Sequence, residues 1–315
     1  MSEAEFAPTR YELLRLYNQG AYVEALELLE REGARFPQQG LMYHWKMCLA
    51  ARANEPEQAL GAFQQALDGG YWFPAQLLRD DEDLRSLQGL PRFEEMVAVS
   101  LERMAKAELN TTPQLLVIPP EADAIIPAPL LIGLHGNSQN AQLAAEDWHP
   151  LHKRGWTLAL AQSSQVLTAD AYQWNDFARG AAEVERLCGD LIVSRSVDPA
   201  RILLGGFSAG GGLAIQLAVS GTLNARGFLV IGPYLRDLEV LTPFFATARS
   251  RGIRGYIVMG LEEPAEGQAL MQRTAALLKD NGIPCEIEQH AKLGHAFPPD
   301  FDATLQKALA FLLPE

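Results

Sequence analysis

Cysteine is scarce: Cys48, Cys188 and Cys285 are the only three in 315 residues, widely spaced and without a Cys-x-x-Cys pair. An odd, scattered set does not build a disulfide framework, and a zinc site is not expected from it, so the three read as reduced packing residues. Positive charge is short as well. Lys and Arg number 26 against 39 Asp and Glu, a net charge of −13, which argues against nucleic acid or an anionic membrane as partner. No run approaches the ~18 consecutive apolar residues of a membrane span. Met1-Ser2-Glu3-Ala4-Glu5 is acidic and has no apolar core, so no signal peptide is expected and the cytoplasm is the default location. Also missing are an HExxH pair, a phosphate loop and a GxGxxG turn opening a βαβ unit, so neither a metal nor any other cofactor is expected.

What is present centres on Gly206-Phe207-Ser208-Ala209-Gly210. The apolar run Ile202-Leu203-Leu204 leads in, and Gly211-Gly212-Leu213-Ala214-Ile215-Gln216-Leu217-Ala218 follows in a helix-like pattern. Strand, sharp turn and helix are what a nucleophile elbow needs, with small residues two before and two after the serine. A glycine-rich turn could also serve packing alone. A serine hydroxyl needs a base within hydrogen-bond reach, and His295 sits in the Gly-flanked loop Leu293-Gly294-His295-Ala296-Phe297-Pro298, with His290 as the second candidate.

From about Thr111 onward the chain resembles α/β-hydrolases of the small carboxylesterase, phospholipase and dienelactone-hydrolase-like group. The resemblance rests on Leu134-His135-Gly136-Asn137, the Gly206–Gly210 elbow and the loop around His295, in that order over about two thirds of the chain. It implies a serine esterase with Ser208 as nucleophile and His295 as base, acting on a small-molecule ester or thioester through an acyl-enzyme. It implies Glu263 as the third member, in Gly260-Leu261-Glu262-Glu263-Pro264, where the family usually carries Asp; Glu262 and Asp237 stay open as alternative acids. The oxyanion would be held by the backbone N–H groups of Asn137 and Ala209. Trp174, in Tyr172-Gln173-Trp174-Asn175-Asp176, is the first candidate for substrate contact, set against plain packing. A dienelactone hydrolase proper is disfavoured because that group normally has Cys where Ser208 stands.

The order of elements supports the same fold. Apolar strands at Leu115–Ile118, Leu130–Leu134, Trp156–Ala161, Ile202–Gly205, Gly227–Ile231, Gly255–Met259 and Cys285–Gln289 alternate with helices. The helices are expected over Ala141–Lys153, Phe177–Ser194, Ala209–Ser220, Leu238–Arg251, Gln268–Asn281 and Phe301–Leu313. That alternation predicts a mostly parallel sheet flanked by helices over residues 109–315, an α/β domain with its ligands beyond the carboxyl ends of the strands. The interval Gly232–Arg254 has room for one helix and no lid, which predicts a preference for short acyl chains.

Residues 1–108 read differently. Ala25, Ala59 and Phe93 stand 34 residues apart at equivalent places in helical patterns, a period that resembles tetratricopeptide repeats. An all-α repeat domain is therefore expected, with Thr9 and Glu12 as a capping box at its start. It either binds a protein or peptide partner or merely packs on the hydrolase domain. The rival function follows from it: an interaction adaptor whose hydrolase domain is a degraded scaffold.

Overall fold

The computed structural model describes residues 3–36, 38–121, 126–194, 196–235 and 237–314. The chain divides into two compact units, one of residues 1–112 with 164–172, the other of 113–163 with 173–315. No helix among the described residues is long and apolar enough to cross a membrane.

The first unit is built on helices α1 (Glu3–Asn18), α2 (Tyr22–Glu32), α3 (Gln39–Arg52), α4 (Pro56–Asp68), α5 (Ala75–Arg79) and α6 (Pro91–Asn110). Pro56 and Pro91 open their helices, where a missing N–H costs nothing because first-turn donors have no partner inside the helix. Ala25, Ala59 and Phe93 are each completely buried. Phe63 meets both Phe73 and Phe93, with ring centroids 5.9 and 5.8 Å apart. The expected capping box is absent: α1 begins at Glu3, so Thr9 lies inside it, and Glu12 instead accepts from Arg15 Nε at 2.7 Å. After α5, Asp81 accepts from the Asp83 N–H at 3.0 Å and starts a 3₁₀ turn, Glu82–Leu87. A short hairpin of β4 (Val166–Thr168) and β5 (Ala171–Tyr172) completes this unit. Asp170 at its tip accepts from Thr168 Oγ1 at 2.8 Å and from the Gly40 N–H in the first turn of α3 at 3.2 Å. An acid suits that place because first-turn N–H groups are unpaired and carry partial positive charge. The division expected between residues 108 and 109 differs here, since residues 164–172 cluster with the helices.

The second unit is a seven-stranded sheet ordered β1-β3-β2-β6-β7-β8-β9. Its strands are β1 (Gln114–Ile118), β2 (Ala128–Leu134), β3 (Thr157–Gln162), β6 (Val197–Phe207), β7 (Gly227–Ile231), β8 (Arg254–Gly260) and β9 (Cys285–His290). Only β1, at the edge, runs antiparallel to its neighbour. Helices are α7 (Ala141–His152), α8 (Phe177–Ile192), α9 (Ser208–Ser220), α10 (Phe245–Ser250), α11 (Ala265–Asp280) and α12 (Phe301–Leu312). Side-chain alternation sorts the strands into two cores. Leu130, Ile132, Leu204, Val230 and Ile257 face one, with Val184, Leu213 and Met271 from α8, α9 and α11. Leu131, Leu203, Leu229 and Val258 face the other, with Trp148 of α7 and Leu305 of α12. One expected helix differs: Leu238–Arg251 is a 3₁₀ turn over Glu239–Phe244 followed by the short α10. Pro243 inside that turn cannot donate the backbone hydrogen bond a regular helix would need.

Register aligns the carboxyl ends. Leu134 pairs with Gly206, Phe207 with Ile231, Ile231 with Val258 and Gly260 with His290. The segments beginning at His135, Ser208, Gly232 and Leu261, and the one after His290, therefore leave the sheet on one side.

Candidate active site

Ser208 is the first residue of α9 and has φ +53°, a left-handed conformation that costs a non-glycine residue about 1–2 kcal/mol. The surroundings enforce it. A methyl group on Gly206 would lie 2.5 Å from the carbonyl carbon of Gly210, and one on Gly210 would lie 2.2 Å from the His135 carbonyl oxygen. The absence of both side chains lets strand and helix close on each other. Behind the elbow, the Tyr234 N–H donates to the Ser208 carbonyl oxygen at 2.9 Å, tying the loop after β7 to the same turn. Ala209 is in the first turn of α9, where N–H groups lack an intrahelical acceptor.

The loop carrying His295 is held against the loop after β8 by main-chain bonds. Leu261 N–H donates to His290 O at 3.0 Å, and Glu262 N–H to Leu293 O at 2.9 Å. Gly260 permits the approach, since a methyl group there would meet Leu293 O at 2.2 Å. The result is a side-chain pair: His295 Nδ1 and Glu263 Oε2 are 3.0 Å apart. The carboxylate side chain is 7% exposed and the imidazole 43%. A carboxylate is acceptor-only, so Nδ1 carries the proton and Nε2 is left as the basic nitrogen. The other two acids are elsewhere. Glu262 is exposed and joins the loop through its backbone, while exposed Asp237 accepts from the Glu239 N–H at 2.9 Å and starts the 3₁₀ turn. His290 ends β9 beside Glu288, 3.5 Å away.

Two residues that the sequence reading did not single out complete the surroundings of His295. The Phe207 ring lies over the imidazole, centroids 4.6 Å apart and planes 35° from parallel. Because Phe207 immediately precedes Ser208, this contact brings the elbow and the His295 loop together. Gly232, at φ +51°, leaves space under the pair: a methyl group there would be 2.9 Å from His295 Nδ1 and 3.0 Å from Glu263 Oε1. The signal available in the sequence was positional, a glycine directly after a buried strand.

Asn137 uses its side chain. Oδ1 accepts from the Trp174 N–H at 2.8 Å and Nδ2 donates to Asn175 Oδ1 at 3.0 Å, so the amide fixes the loop whose backbone is the candidate oxyanion donor. Trp174 is not positioned to contact substrate. Its side chain is 1% exposed, its indole N–H donates to His135 O at 2.9 Å and its ring lies 5.0 Å from the His135 ring. It braces the loop from below. His135 is a scaffold residue too: completely buried, with Nδ1 against Gly136 O at 2.8 Å and Nε2 accepting from Ser163 N–H at 3.2 Å. Burial pushes its pKa down to about 4, so it is neutral and takes no part in proton transfer at ordinary pH.

Residues 163–313 match the family model described as phospholipase/carboxylesterase, and residues 10–108 match the model of an A/B hydrolase-like N-terminal domain. With the parallel sheet, the elbow after its central strand and the acid–histidine pair on one edge, the architecture is decided. The chain has an α/β-hydrolase fold. A solved structure similar to this chain is an uncharacterized protein from Bacillus cereus ATCC 10987, 25% identical over 99% of both chains with a TM-score of 0.56. That likeness runs through the helical unit as well as the sheet. The Bacillus cereus carboxylesterase is 14% identical over 66% of this chain and 98% of its own, with a TM-score of 0.50, a likeness of fold. No curated protein matches the chain.

Proposed function

We propose that this α/β-hydrolase is a serine esterase of small carboxylic esters or thioesters, working through a Ser208-His295-Glu263 triad. The observation that carries the reading is the 3.0 Å pair of His295 and Glu263, on the sheet edge where the strained Ser208 stands and with Phe207 stacked on the imidazole. Ser208 Oγ attacks the carbonyl carbon while His295 Nε2 takes its proton. The tetrahedral oxyanion is received by the N–H groups of Asn137 and Ala209. The C–O (or C–S) bond to the leaving group then breaks and His295 returns the proton to the departing alcohol or thiol. Water, deprotonated by the same nitrogen, attacks the acyl carbon, the bond to Ser208 Oγ breaks, and His295 returns the proton to that oxygen as the acid leaves. Glu263 keeps the imidazole in the Nδ1–H tautomer and stabilises the cation formed in each half-reaction.

The apolar residues of the Gly232–Arg254 interval support a short-acyl preference. Leu241, Phe245 and Ala248 are buried in the core and Leu238 and Phe244 pack against it, leaving none of these to cover a long chain. The helical unit, with Ala25, Ala59 and Phe93 buried at a 34-residue spacing, is read as tetratricopeptide-like and as the part that meets any protein or peptide partner. The cytoplasm is the proposed setting. A fluorophosphonate probe tests the reading: the wild-type chain should take one label, and Ser208→Ala none. Equal labelling of both proteins, or an unlabelled wild type, would remove Ser208 from the mechanism.

A further inference from the structure

The turn that carries the Asn137 N–H is held by two side chains outside the triad. Residues 136–139 form it: the Gln139 N–H donates to the Gly136 carbonyl oxygen at 3.1 Å, and Ser138 stands at φ +69°. The buried Gln139 side chain reaches back, and its Oε1 accepts from the Gly136 N–H at 2.8 Å. That N–H is therefore spent and cannot receive an oxyanion. The Gly136 carbonyl is held twice, by the Gln139 N–H and by His135 Nδ1–H at 2.8 Å. It belongs to the same planar peptide group as the Asn137 N–H, which must point the opposite way. Among the described residues nothing accepts from the N–H of Asn137 or of Ala209. The turn also rests directly on the elbow, since a methyl group on Gly136 would lie 2.6 Å from Phe207 Cδ1.

A chain of amides holds Asn137 from its other end. The Trp174 N–H can only donate, so the Asn137 atom 2.8 Å from it is Oδ1. That turns Nδ2 toward Asn175, whose facing atom must be Oδ1, at 3.0 Å. Asn175 Nδ2 is left to donate to Gln173 Oε1 at 2.8 Å. A backbone group thus gives the whole chain a single sense. Helix capping does not account for Asn175, because Asp176 is the residue that caps α8, accepting from the Arg179 N–H at 2.9 Å. Core packing does not account for it either, because Asn175 is exposed.

We infer that Gln139 and Asn175 are positioning residues for the oxyanion. Gln139 makes Asn137, rather than Gly136, the residue that donates, and Asn175 holds the Asn137 side chain so that its N–H stays in place. The inference rests on the serine-esterase reading, in which the ester carbonyl oxygen becomes negative as Ser208 attacks. Neither residue touches the substrate. Their contribution is preorganisation, which acts once the charge develops and so belongs to the transition state rather than to substrate binding.

Hydrolysis of p-nitrophenyl butyrate and inhibition by 1,1,1-trifluoro-2-hexanone test this together. Ser208 Oγ adds to the ketone carbon, its proton goes to His295, and the ketone oxygen becomes an anion that needs the same donors. Asn175→Ala should lower kcat about 3- to 10-fold, the worth of one net hydrogen bond, with KM unchanged. Gln139→Leu should lower kcat about 10- to 100-fold, less than the roughly 10²- to 10³-fold that follows removal of a whole oxyanion donor. In both variants ketone affinity should fall by the same factor as kcat/KM. Asn175→Asp keeps the acceptor for Asn137 Nδ2 and should restore most of the lost kcat. A merely structural role would instead lower the fraction of enzyme that a fluorophosphonate labels and leave ketone affinity alone. If Gln139→Leu fails to fold, the exposed Asn175 pair decides. Unchanged kcat or ketone affinity in Asn175→Ala or in folded Gln139→Leu would overturn the inference and leave the esterase reading standing. A wild type that neither hydrolyses the ester nor binds the ketone would overturn both.

Discussion

Substituting Gly232 by alanine probes the candidate site without touching any group that would do chemistry. At φ +51° the alanine pays a left-handed backbone cost of about 1–2 kcal/mol. Its methyl group would also lie 2.9 Å from His295 Nδ1 and 3.0 Å from both Glu263 Oε1 and His295 Cε1. Ordinary contact distance is about 3.5–4.0 Å, so imidazole and carboxylate must retreat by roughly half an ångström or more. A 1 Å misplacement of catalytic groups costs about 10²-fold, so a loss of about 10- to 100-fold in kcat/KM is expected. Gly252 supplies the control. Its φ is +70° and nothing lies within 4 Å of a methyl group added there. Gly252→Ala should thus show the same stability loss, about 1–2 kcal/mol in urea unfolding, with unchanged turnover. The assay is hydrolysis of p-nitrophenyl butyrate by both variants and the wild type. If Gly232→Ala loses stability like Gly252→Ala but keeps wild-type kcat/KM, the pair beneath it is not the catalytic one.

Glu263→Gln should lower kcat by about 10³- to 10⁴-fold, because an amide no longer selects the Nδ1–H tautomer, while Glu262→Gln and Asp237→Asn should stay near wild type; a larger loss in either of the latter reassigns the acid. His135 gives a pH prediction. Its folded pKa is depressed to about 4 from about 6.5 unfolded, so between those values the unfolded chain binds a proton that the folded chain does not. Its contribution is therefore fully present above pH 6.5 and lost as pH falls toward 4, roughly 1.4 kcal/mol per pH unit and about 3 kcal/mol in all. Urea midpoints at pH 7 and 4.5 for the wild type and His135→Asn should show that extra slope in the wild type alone. For acyl length, kcat/KM along p-nitrophenyl esters should peak between about two and six carbons; a peak at ten or beyond would require an acyl groove that the packed Leu241, Phe245 and Ala248 do not provide.

How far each feature could be read from the sequence follows from the range of the interaction behind it. The elbow was legible because its constraint is local: Gly206 and Gly210 must lack side chains so that Ser208 can turn, and all are within five residues. Strands such as Leu130–Leu134 were legible because burial on both faces removes every polar residue from a parallel strand. The start of the helix before β8 differs from the expectation because apolar periodicity at Leu241, Phe245 and Ala248 is the same in one helix and in a 3₁₀ turn followed by a helix, and Pro243 lacks the N–H that one continuous helix would use there.

Sequence alone thus determined the alternation of strands and helices, the elbow and the candidate base, all set by periodicity and backbone sterics. Tertiary structure alone decided which of two adjacent glutamates meets His295, since consecutive residues point in different directions and the main-chain bonds of Leu261 and Glu262 to the loop after β9 hold the segment with Glu263 buried and Glu262 exposed. It likewise buried Trp174 under the Asn137 loop, drew the 164–172 hairpin into the helical unit and brought Asp81 to His44 and Cys48. These contacts join residues tens of positions apart, and their distances are fixed by how helices and strands pack, which no local pattern encodes.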